Sequence, residues 1–261
     1  MDGRRSVFLL LCAGLFAVSA PGATLYAVLA GSPNIFGTVD TGTGAFNPIG
    51  PQTPTLFGMG FAPNGTLYGT DGLPDAEVYQ VDRFSGNAVP LGQTSDSTIG
   101  STVGSDGLIY AVNAQSNAAF YTIDPTTRAV NPISHLGFAS DGLAVFDNGT
   151  FYTDANIGGI DFLVAVDPGT GSATQIPGSG LGVAIFDGAN VDGTIYAGGS
   201  TGLYTIDPTT GVATSVATFT GGGVNALAFN SAPEPSTAVL AGLGIALVGL
   251  VFAIRRSRPP V

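Results

Sequence analysis

GLYTIDPTTGVATSVAT (residues 202–218) contains two short apolar segments on either side of the sequence DPTTG at residues 207–211. β-branched and aromatic residues favour strands, whereas Asp, Pro and Gly favour a tight turn. The Asp side chain can accept hydrogen bonds from backbone N–H groups ahead of it, the proline presets φ, and the glycine tolerates a positive φ. The stretch therefore predicts a β-hairpin.

The aspartate that opens this turn recurs along the chain. Its counterparts lie 42, 42, 43 and 40 residues apart: Asp40, Asp82, Asp124, Asp167 and Asp207. A second marker, a tyrosine after an apolar residue, recurs at intervals of 42, 42, 42 and 44 residues: Tyr26, Tyr68, Tyr110, Tyr152 and Tyr196. Two independent markers with one period of about 42 define five repeats. We interpret the aspartates as structural turn residues.

Each repeat contains four candidate strands. In the fifth repeat they are 181–186, 194–199, 202–207 and 212–218, and Asp192-Gly193 marks the first hairpin turn. Four short strands in about 42 residues are typical of a β-propeller blade. The repeats resemble the LYxIDPxTG repeats of bacterial secreted propellers, whose functions are diverse.

The two ends of the repeat region complement each other. Residues 24–29 match the second strand of a repeat, but no first strand precedes them in the repeat region. Residues 224–229 match a first strand that no further strands follow. Comparable first-strand positions are assigned to Phe61, Val103, Val145, Phe186 and Phe229. We therefore predict an all-β, five-bladed propeller over residues 24–230, with one blade completed from both termini so that no sheet edge stays open. A six-bladed ring and an open β-solenoid remain alternatives.

The N-terminus reads as a secretory signal peptide, residues 1–23. Arg4 and Arg5 precede the apolar run 7–18, and small residues follow as far as Ala23. An uncleaved N-terminal anchor is the alternative.

The C-terminus holds eighteen uncharged residues, 237–254, which span roughly 27 Å as a helix and match the apolar thickness of a bilayer. A buried core helix is the alternative. The basic tail 255–261 follows, with Arg255, Arg256 and Arg258. Arginines beside a membrane segment favour the cytoplasmic side, so the propeller lies outside the cytoplasm.

Pro233, Glu234, Pro235 and Ser236, within the segment 231–236, precede the apolar run. This motif, followed by a transmembrane helix and an arginine cluster, resembles the PEP-CTERM sorting tail. The resemblance implies export across the inner membrane of a Gram-negative bacterium, with the membrane-inserted chain as an intermediate. It also implies signal peptidase and an exosortase as partners, and a destination at the cell surface or in the exopolysaccharide matrix. It says nothing about the function of the sorted domain.

The charge of the exported region excludes one class of partner. Residues 24–230 contain 16 acidic residues, but only Arg83 and Arg128 are basic and there is no lysine, which gives a charge of about −14. Nucleic-acid binding needs a basic face, so we expect none. The only cysteine, Cys12, lies in the signal peptide, so the exported part has neither a disulfide nor a thiol nucleophile.

Candidate sites are few, and we assign no catalytic residue and no cofactor. Asp71, Asp75 and Glu77 are weak candidates for calcium, for which a solvated acidic loop is the alternative. His135 is the only histidine, and a lone histidine next to a strand is usually structural or exposed; a catalytic base or metal ligand is the alternative. Residues 198–202 match the G-x-S-x-G string, but they lie between two predicted strands rather than at a strand-to-helix elbow.

The repeat tyrosines allow two interpretations. They either belong to the core between blades or form a sugar-stacking surface around the channel, and the core is favoured.

The leading functional hypothesis is a non-enzymatic cell-surface or matrix protein. A glycan- or protein-binding propeller is the first alternative, and an enzyme of lactonase or lyase type is the second. The regular spacing leaves little room for the long inserts that would build an active site, and fold alone does not support an enzyme.

Overall fold

The computed structural model describes residues 24–72, 75–178, 180–220 and 222–230. The predicted signal peptide, sorting motif, transmembrane helix and basic tail lie outside these residues. Within the described part, no helix is long and apolar enough to cross a membrane.

The described residues form twenty strands in five sheets. In chain order the strands are β1 (Thr24–Leu29), β2 (Asn34–Asp40), β3 (Phe46–Gln52), β4 (Gly58–Phe61), β5 (Leu67–Thr70), β6 (Glu77–Val81), β7 (Ala88–Gln93), β8 (Gly100–Val103), β9 (Ile109–Val112), β10 (Ala119–Ile123), β11 (Val130–His135), β12 (Val145–Asp147), β13 (Thr150–Ile157), β14 (Ile160–Val166), β15 (Ala173–Gln175), β16 (Ile185–Val191), β17 (Thr194–Gly199), β18 (Gly202–Ile206), β19 (Ala213–Thr218) and β20 (Val224–Phe229).

Each sheet is one blade of four antiparallel strands. Blade 1 has the order β20-β1-β2-β3, and blades 2 to 5 follow the chain as β4–β7, β8–β11, β12–β15 and β16–β19. The first strands β20, β4, β8, β12 and β16 contact one another around the axis of the ring. The prediction of a five-bladed all-β propeller is confirmed for the described residues.

Blade 1 is closed from the two ends of the repeat region. Strand β20 pairs antiparallel with β1, from Leu25 opposite Phe229 to Leu29 opposite Val224. The last strand thus supplies the partner that the first one lacks in sequence. This closure joins the two ends of the repeat region by backbone hydrogen bonds and gives blade 1 the same four strands as the other blades.

The innermost strand of blade 5 differs from its predicted bounds. The sequence predicted residues 181–186, whereas β16 covers Ile185–Val191. Asp192 and Gly193 both have positive φ, 49° and 85°, and form a tight turn that places Val191 opposite Thr194. Because the strand runs up to this turn, residues 181–184 are left in the loop that enters the blade.

The register corrects the set of equivalent first-strand positions. In each blade, one residue of the first strand lies opposite the first apolar residue of the second strand. These equivalent residues are Phe61, Val103, Phe146, Asn190 and Phe229. The predicted Val145 therefore lies one residue before the equivalent position in blade 4, and the predicted Phe186 lies four residues before it in blade 5. The bounds of β16 were predicted wrongly because the polar residues Asp187 and Asn190 interrupt its apolar pattern. A strand at the axis need not be apolar throughout.

The hydrophobic core lies between the blades. The five repeat tyrosines pack against the core clusters rather than facing the channel: Tyr26 is 7% exposed, and the other four are half-buried. This arrangement agrees with the core reading of these residues.

The two ends of the ring carry different connections. Since strands alternate in direction, the turns after each first and third strand lie on one face, which we call the turn face. The loops after each second and fourth strand lie on the opposite face. The turn face carries the repeat aspartates, and both described ends lie there, since Thr24 pairs with Asp40 and β20 ends at Phe229.

Candidate functional site

A cavity of about 440 Å³ lies where the first strands reach the turn face, and we call it the axial pocket. All five first strands or their turns contribute to its wall: Met59, Gly60, Phe61, Ala62, Pro63, Thr102, Val103, Gly104, Ser105, Val145, Phe146, Ala189, Asn190, Ala228, Phe229 and Asn230. None of these lining residues carries an ionisable side chain.

Glycines that begin two of the first strands, β4 and β8, lie against neighbouring backbone at the end of the ring opposite the turn face. A side chain at Gly100 would overlap the carbonyl oxygen of Gly142, and one at Gly58 would overlap the backbone of Ser101. Glycine is therefore required at these two positions, where the axis leaves no room for a Cβ.

Three phenylalanines are among the residues that line the axial pocket, and they also pack against the core clusters between the blades. Phe61 lies 5.3 Å from the ring of Tyr26, and Phe146 lies 4.9 Å from the ring of Tyr110 in an edge-on arrangement. Phe229 is half-buried. Contacts with the repeat tyrosines hold two of these rings in place.

Polar groups at the rim of the axial pocket are neutral. The Nδ2 of Asn190 donates to Asp147 Oδ1 at 2.6 Å, and its Oδ1 accepts from the Gly193 backbone N–H at 2.9 Å. Asn230 and the exposed Ser105 complete the rim. The lining therefore combines phenylalanines with neutral hydrogen-bonding groups, which suits a neutral polar ligand.

Asp187 bridges three blades at the axis. It is fully buried in β16, and its Oδ2 accepts the backbone N–H groups of Met59 (3.2 Å, blade 2) and Leu227 (2.8 Å, blade 1). Its Oδ1 has no hydrogen-bond partner. Burial raises the pKa of Asp187 well above its ordinary value, although these hydrogen bonds act in the other direction.

A second acidic group lies on the opposite face. Carboxylate oxygens of Asp141, Asp154 and Asp161 lie within 4.8 Å of one another, which is a separation that a cation could bridge. Burial raises the pKa of Asp154 to about 6. Burial, followed by the charge of Asp141, raises the pKa of Asp161.

Hydrogen bonds account for Asp154 without a metal. Its carboxylate accepts the backbone N–H groups of Asp141, Gly142 and Leu143 at 2.8–3.1 Å, and the Ser140 hydroxyl at 3.0 Å. The group has no signature in the sequence, because a loop and two different strands supply its members. No motif with regular spacing could have revealed it.

The three weak calcium candidates are only partly brought together. The Tyr79 hydroxyl donates to Asp71 Oδ2 at 3.0 Å or to Glu77 Oε2 at 2.8 Å, and burial followed by these acids raises the pKa of Tyr79. Asp75 is exposed. Among the described residues, these three do not form a group with closely spaced ligand atoms.

The repeat aspartates act within their own turns. Asp207 Oδ1 accepts the Thr209 backbone N–H at 2.8 Å, and Asp40 Oδ1 accepts those of Gly42 and Thr43 at 2.9 and 2.8 Å. Hydrogen bonds from the following residues lower the pKa of four of the five: Asp40, Asp124, Asp167 and Asp207. Asp82 makes the corresponding bond to the Phe84 backbone N–H at 2.8 Å.

The remaining sequence candidates lie apart from the axial pocket. His135 ends β11 on the opposite face, is exposed, and has its Nδ1 3.3 Å from the Asn117 carbonyl oxygen. The string at 198–202 forms the hairpin between β17 and β18, so Ser200 does not lie on a strand-to-helix elbow.

Solved structures with similar folds are distant in sequence. A chain of the nidogen/laminin complex is 10% identical with a TM-score of 0.52, and covers 79% of this chain and 98% of its own. XC5397 from Xanthomonas campestris, described as a gluconolactonase, is 15% identical with a TM-score of 0.50 and coverages of 77% and 78%. TolB from Acinetobacter baumannii is 17% identical with a TM-score of 0.48; the match covers 73% of this chain and about half, 52%, of TolB. At such identities the likeness concerns the fold alone.

A search of curated proteins found no match. Residues 231–257 match the PEP-CTERM protein-sorting motif, which confirms the predicted sorting tail and marks the chain as an exported substrate of the exosortase pathway of Gram-negative bacteria. Residues 34–186 match the model described as "Repeat of unknown function (DUF6923)". As this match covers more than half of the 261 residues, the chain belongs to the DUF6923 repeat family.

Proposed function

We propose that this chain is a non-enzymatic binding module of the cell surface or exopolysaccharide matrix, and that its axial pocket takes a neutral sugar unit. The observation that carries the proposal is the lining of the axial pocket. Three phenylalanines and neutral amide and hydroxyl groups surround about 440 Å³, which is within the range of small-molecule sites.

The chemistry of the lining favours neutral carbohydrate over charged ligands. Sugar rings present C–H faces that stack on aromatic rings, and hydroxyls that pair with amides and hydroxyls. A charged ligand would have to leave water without gaining an opposite charge, which is costly. The surrounding domain, at about −14, would also repel acidic polysaccharide.

The test compares two serines of blade 3, Ser105 and Ser116. Ser105 lies at the rim of the axial pocket, and Ser116 lies in the exposed loop between β9 and β10 on the opposite face. Binding of the cell's own polysaccharide and of neutral oligosaccharides is measured by calorimetry for the wild type, S105W and S116W. We expect S105W to weaken binding at least several-fold by filling the mouth, and S116W to bind like the wild type.

Equal loss in both variants, or no binding of any neutral glycan to the wild type, would contradict the proposal. Thermal unfolding of both variants controls for damage to the fold.

A further inference from the structure

The C-terminal sorting tail leaves the propeller at the mouth of the axial pocket. Asn230, the last described residue, lines the pocket, and it follows directly after β20, which closes blade 1 at the axis. The chain therefore departs from the centre of the turn face rather than from the side of the ring.

The connection from Asn230 to the apolar run is short. Six residues, 231–236, lie between them, and two of these are prolines. An extended chain advances at most about 3.6 Å per residue, so the distance from residue 230 to residue 237 is at most roughly 25 Å. Prolines favour an extended but slightly shorter path of about 3.1 Å per residue.

The propeller is wider than this connection is long. A compact domain of this size has a radius of gyration of roughly 17 Å, which corresponds to a sphere roughly 43 Å across. To present the opposite face to the bilayer, the tail would have to run from the axis to the rim and then along the side of the ring. That path is longer than the connection allows.

We propose that the turn face is directed at the bilayer, within roughly 25 Å of it, while the sorting tail remains attached and inserted, so that the axial pocket is shielded until the tail is removed. As far as the ligand is concerned, this inference rests on the proposed function; the orientation itself does not. Large ligands, such as polysaccharide chains, would gain access only after processing, whereas small molecules could still diffuse into the gap.

The charge of the turn face explains why the propeller would leave the membrane surface once the sorting tail is cleaved. Two arginines, Arg83 and Arg128, are outnumbered there by eight acidic residues: Asp40, Asp82, Asp106, Asp124, Asp147, Asp167, Asp192 and Asp207. An anionic membrane surface repels such a face within a Debye length of about 8 Å at physiological salt. Only the covalent connection holds the two surfaces together, and cutting it releases the domain.

The exported part has no cysteine, so single cysteines can report the accessibility of each face. We would place S105C at the pocket mouth and S116C on the opposite face of the same blade, in the full-length chain produced by cells that lack exosortase. Each is treated in spheroplasts with a bulky polyethylene-glycol maleimide and, separately, with a small maleimide. The tail-free comparison ends at Ser236 and retains all twenty strands.

We expect the bulky reagent to label S105C several-fold more slowly in the tail-bearing form than in the tail-free form. S116C should label equally in both forms, and the small reagent should label both sites in both forms. Inserting a flexible Gly/Ser segment of about 20 residues after Asn230 adds roughly 70 Å of maximal reach, and should restore bulky labelling of S105C although the tail remains.

Equal labelling of S105C in tail-bearing and tail-free forms would overturn the inference, as would slow labelling that the inserted segment does not relieve. Because labelling needs no glycan, these outcomes are separate from a failure of the proposed function, which the calorimetry of tail-free protein decides.

Discussion

The aspartates of the turn face and the aspartate at the axis show two opposite uses of one side chain. Asp207 and its four repeat counterparts are solvent-accessible and accept backbone N–H groups within their own turns. Asp187 is buried, accepts N–H groups from two other blades, and leaves one oxygen unpaired. The first arrangement is local and recurs with the sequence period. The second is long-range and occurs once.

This difference shows which parts of a blade can be repeated in sequence and which cannot. A turn is stabilised by neighbours in sequence, so it can be copied from blade to blade. The axis is shared by all five blades, and one side chain there connects three of them. The axial aspartate should therefore contribute more to the stability of the ring than any one of the repeated aspartates.

Replacing Asp187 by alanine should have the largest effect. The change leaves the N–H groups of Met59 and Leu227 buried without an acceptor, and each such group costs about 1–3 kcal/mol. We expect the free energy of unfolding of D187A, measured by urea titration, to fall by roughly 2–5 kcal/mol. D207A, which removes an exposed turn acceptor, should show a clearly smaller loss. A loss in D207A that equals or exceeds that of D187A would contradict the comparison.

D187N separates the hydrogen bonds of Asp187 from its charge. Asparagine keeps one carbonyl oxygen for the two N–H groups and removes the buried titratable group. We expect D187N to lose much less stability than D187A, and to approach or exceed the wild type at alkaline pH, where the buried carboxylate is most costly. If D187N is as unstable as D187A at every pH, the geometry of the carboxylate, rather than its acceptor role, is essential.

The two kinds of aspartate should also shape the dependence of stability on pH. Asp154 and Asp187 have folded pKa values above the unfolded value of about 3.9, so their contribution is complete below that pH and is lost as pH rises through the folded pKa. For Asp154 the folded pKa is about 6, so this loss falls between about pH 4 and pH 7.

The turn aspartates act in the opposite direction. Hydrogen bonds lower the folded pKa of four of them, Asp40, Asp124, Asp167 and Asp207, so the contribution of these four is complete above the unfolded value and is lost as pH falls through the folded pKa. We therefore expect Tm, followed by circular dichroism, to be highest near pH 4–5, to decrease toward pH 7, and to decrease again in stronger acid.

Repulsion among the surface acids would also lower Tm as pH rises, but high salt screens that repulsion. A decrease between pH 4 and pH 7 that persists in high salt belongs to the buried carboxyl groups. A Tm that rises steadily over this range would contradict the prediction.

Much of the fold could be predicted because repeats average out local ambiguity. The period of about 42 gave five copies of each marker, and the unpaired strand at each end predicted the closure of blade 1. The first strand of blade 5 was misplaced because Asp187 interrupts its apolar pattern. That interruption is the feature through which the strand contacts two other blades.

The candidate site was far less predictable. The axial pocket is lined by equivalent residues of different blades, and its existence depends on how closely the first strands approach at the axis. The cluster of Asp141, Asp154 and Asp161 joins a loop to two strands, so its members share no motif. Both features depend on tertiary distances, which sequence periodicity does not encode.

The smallest effect concerns the one turn in which the sequence departs from glycine. Arg128 has a φ of 62°, where the corresponding residue of blade 5, Gly211, has a φ of 66°. A non-glycine residue in this conformation carries strain of about 1–2 kcal/mol, which is partly offset because glycine makes the unfolded chain more flexible by about 0.5–1 kcal/mol. R128G should therefore raise the free energy of unfolding by roughly 0.5–1 kcal/mol, and G211A should lower it by a similar amount.

G211A is a suitable control because a Cβ at Gly211 meets only ordinary contacts, the nearest being Leu163 Cβ at 3.5 Å, so the change tests conformation rather than crowding. Arg128 also donates from its guanidinium to the Thr126 carbonyl oxygen at 2.9 Å, an exposed bond whose loss costs little in water. Urea titrations of both variants decide the point. If R128G is less stable than the wild type, the arginine side chain stabilises its turn by more than the strain it imposes, and the five turns are less equivalent than their shared aspartate indicates.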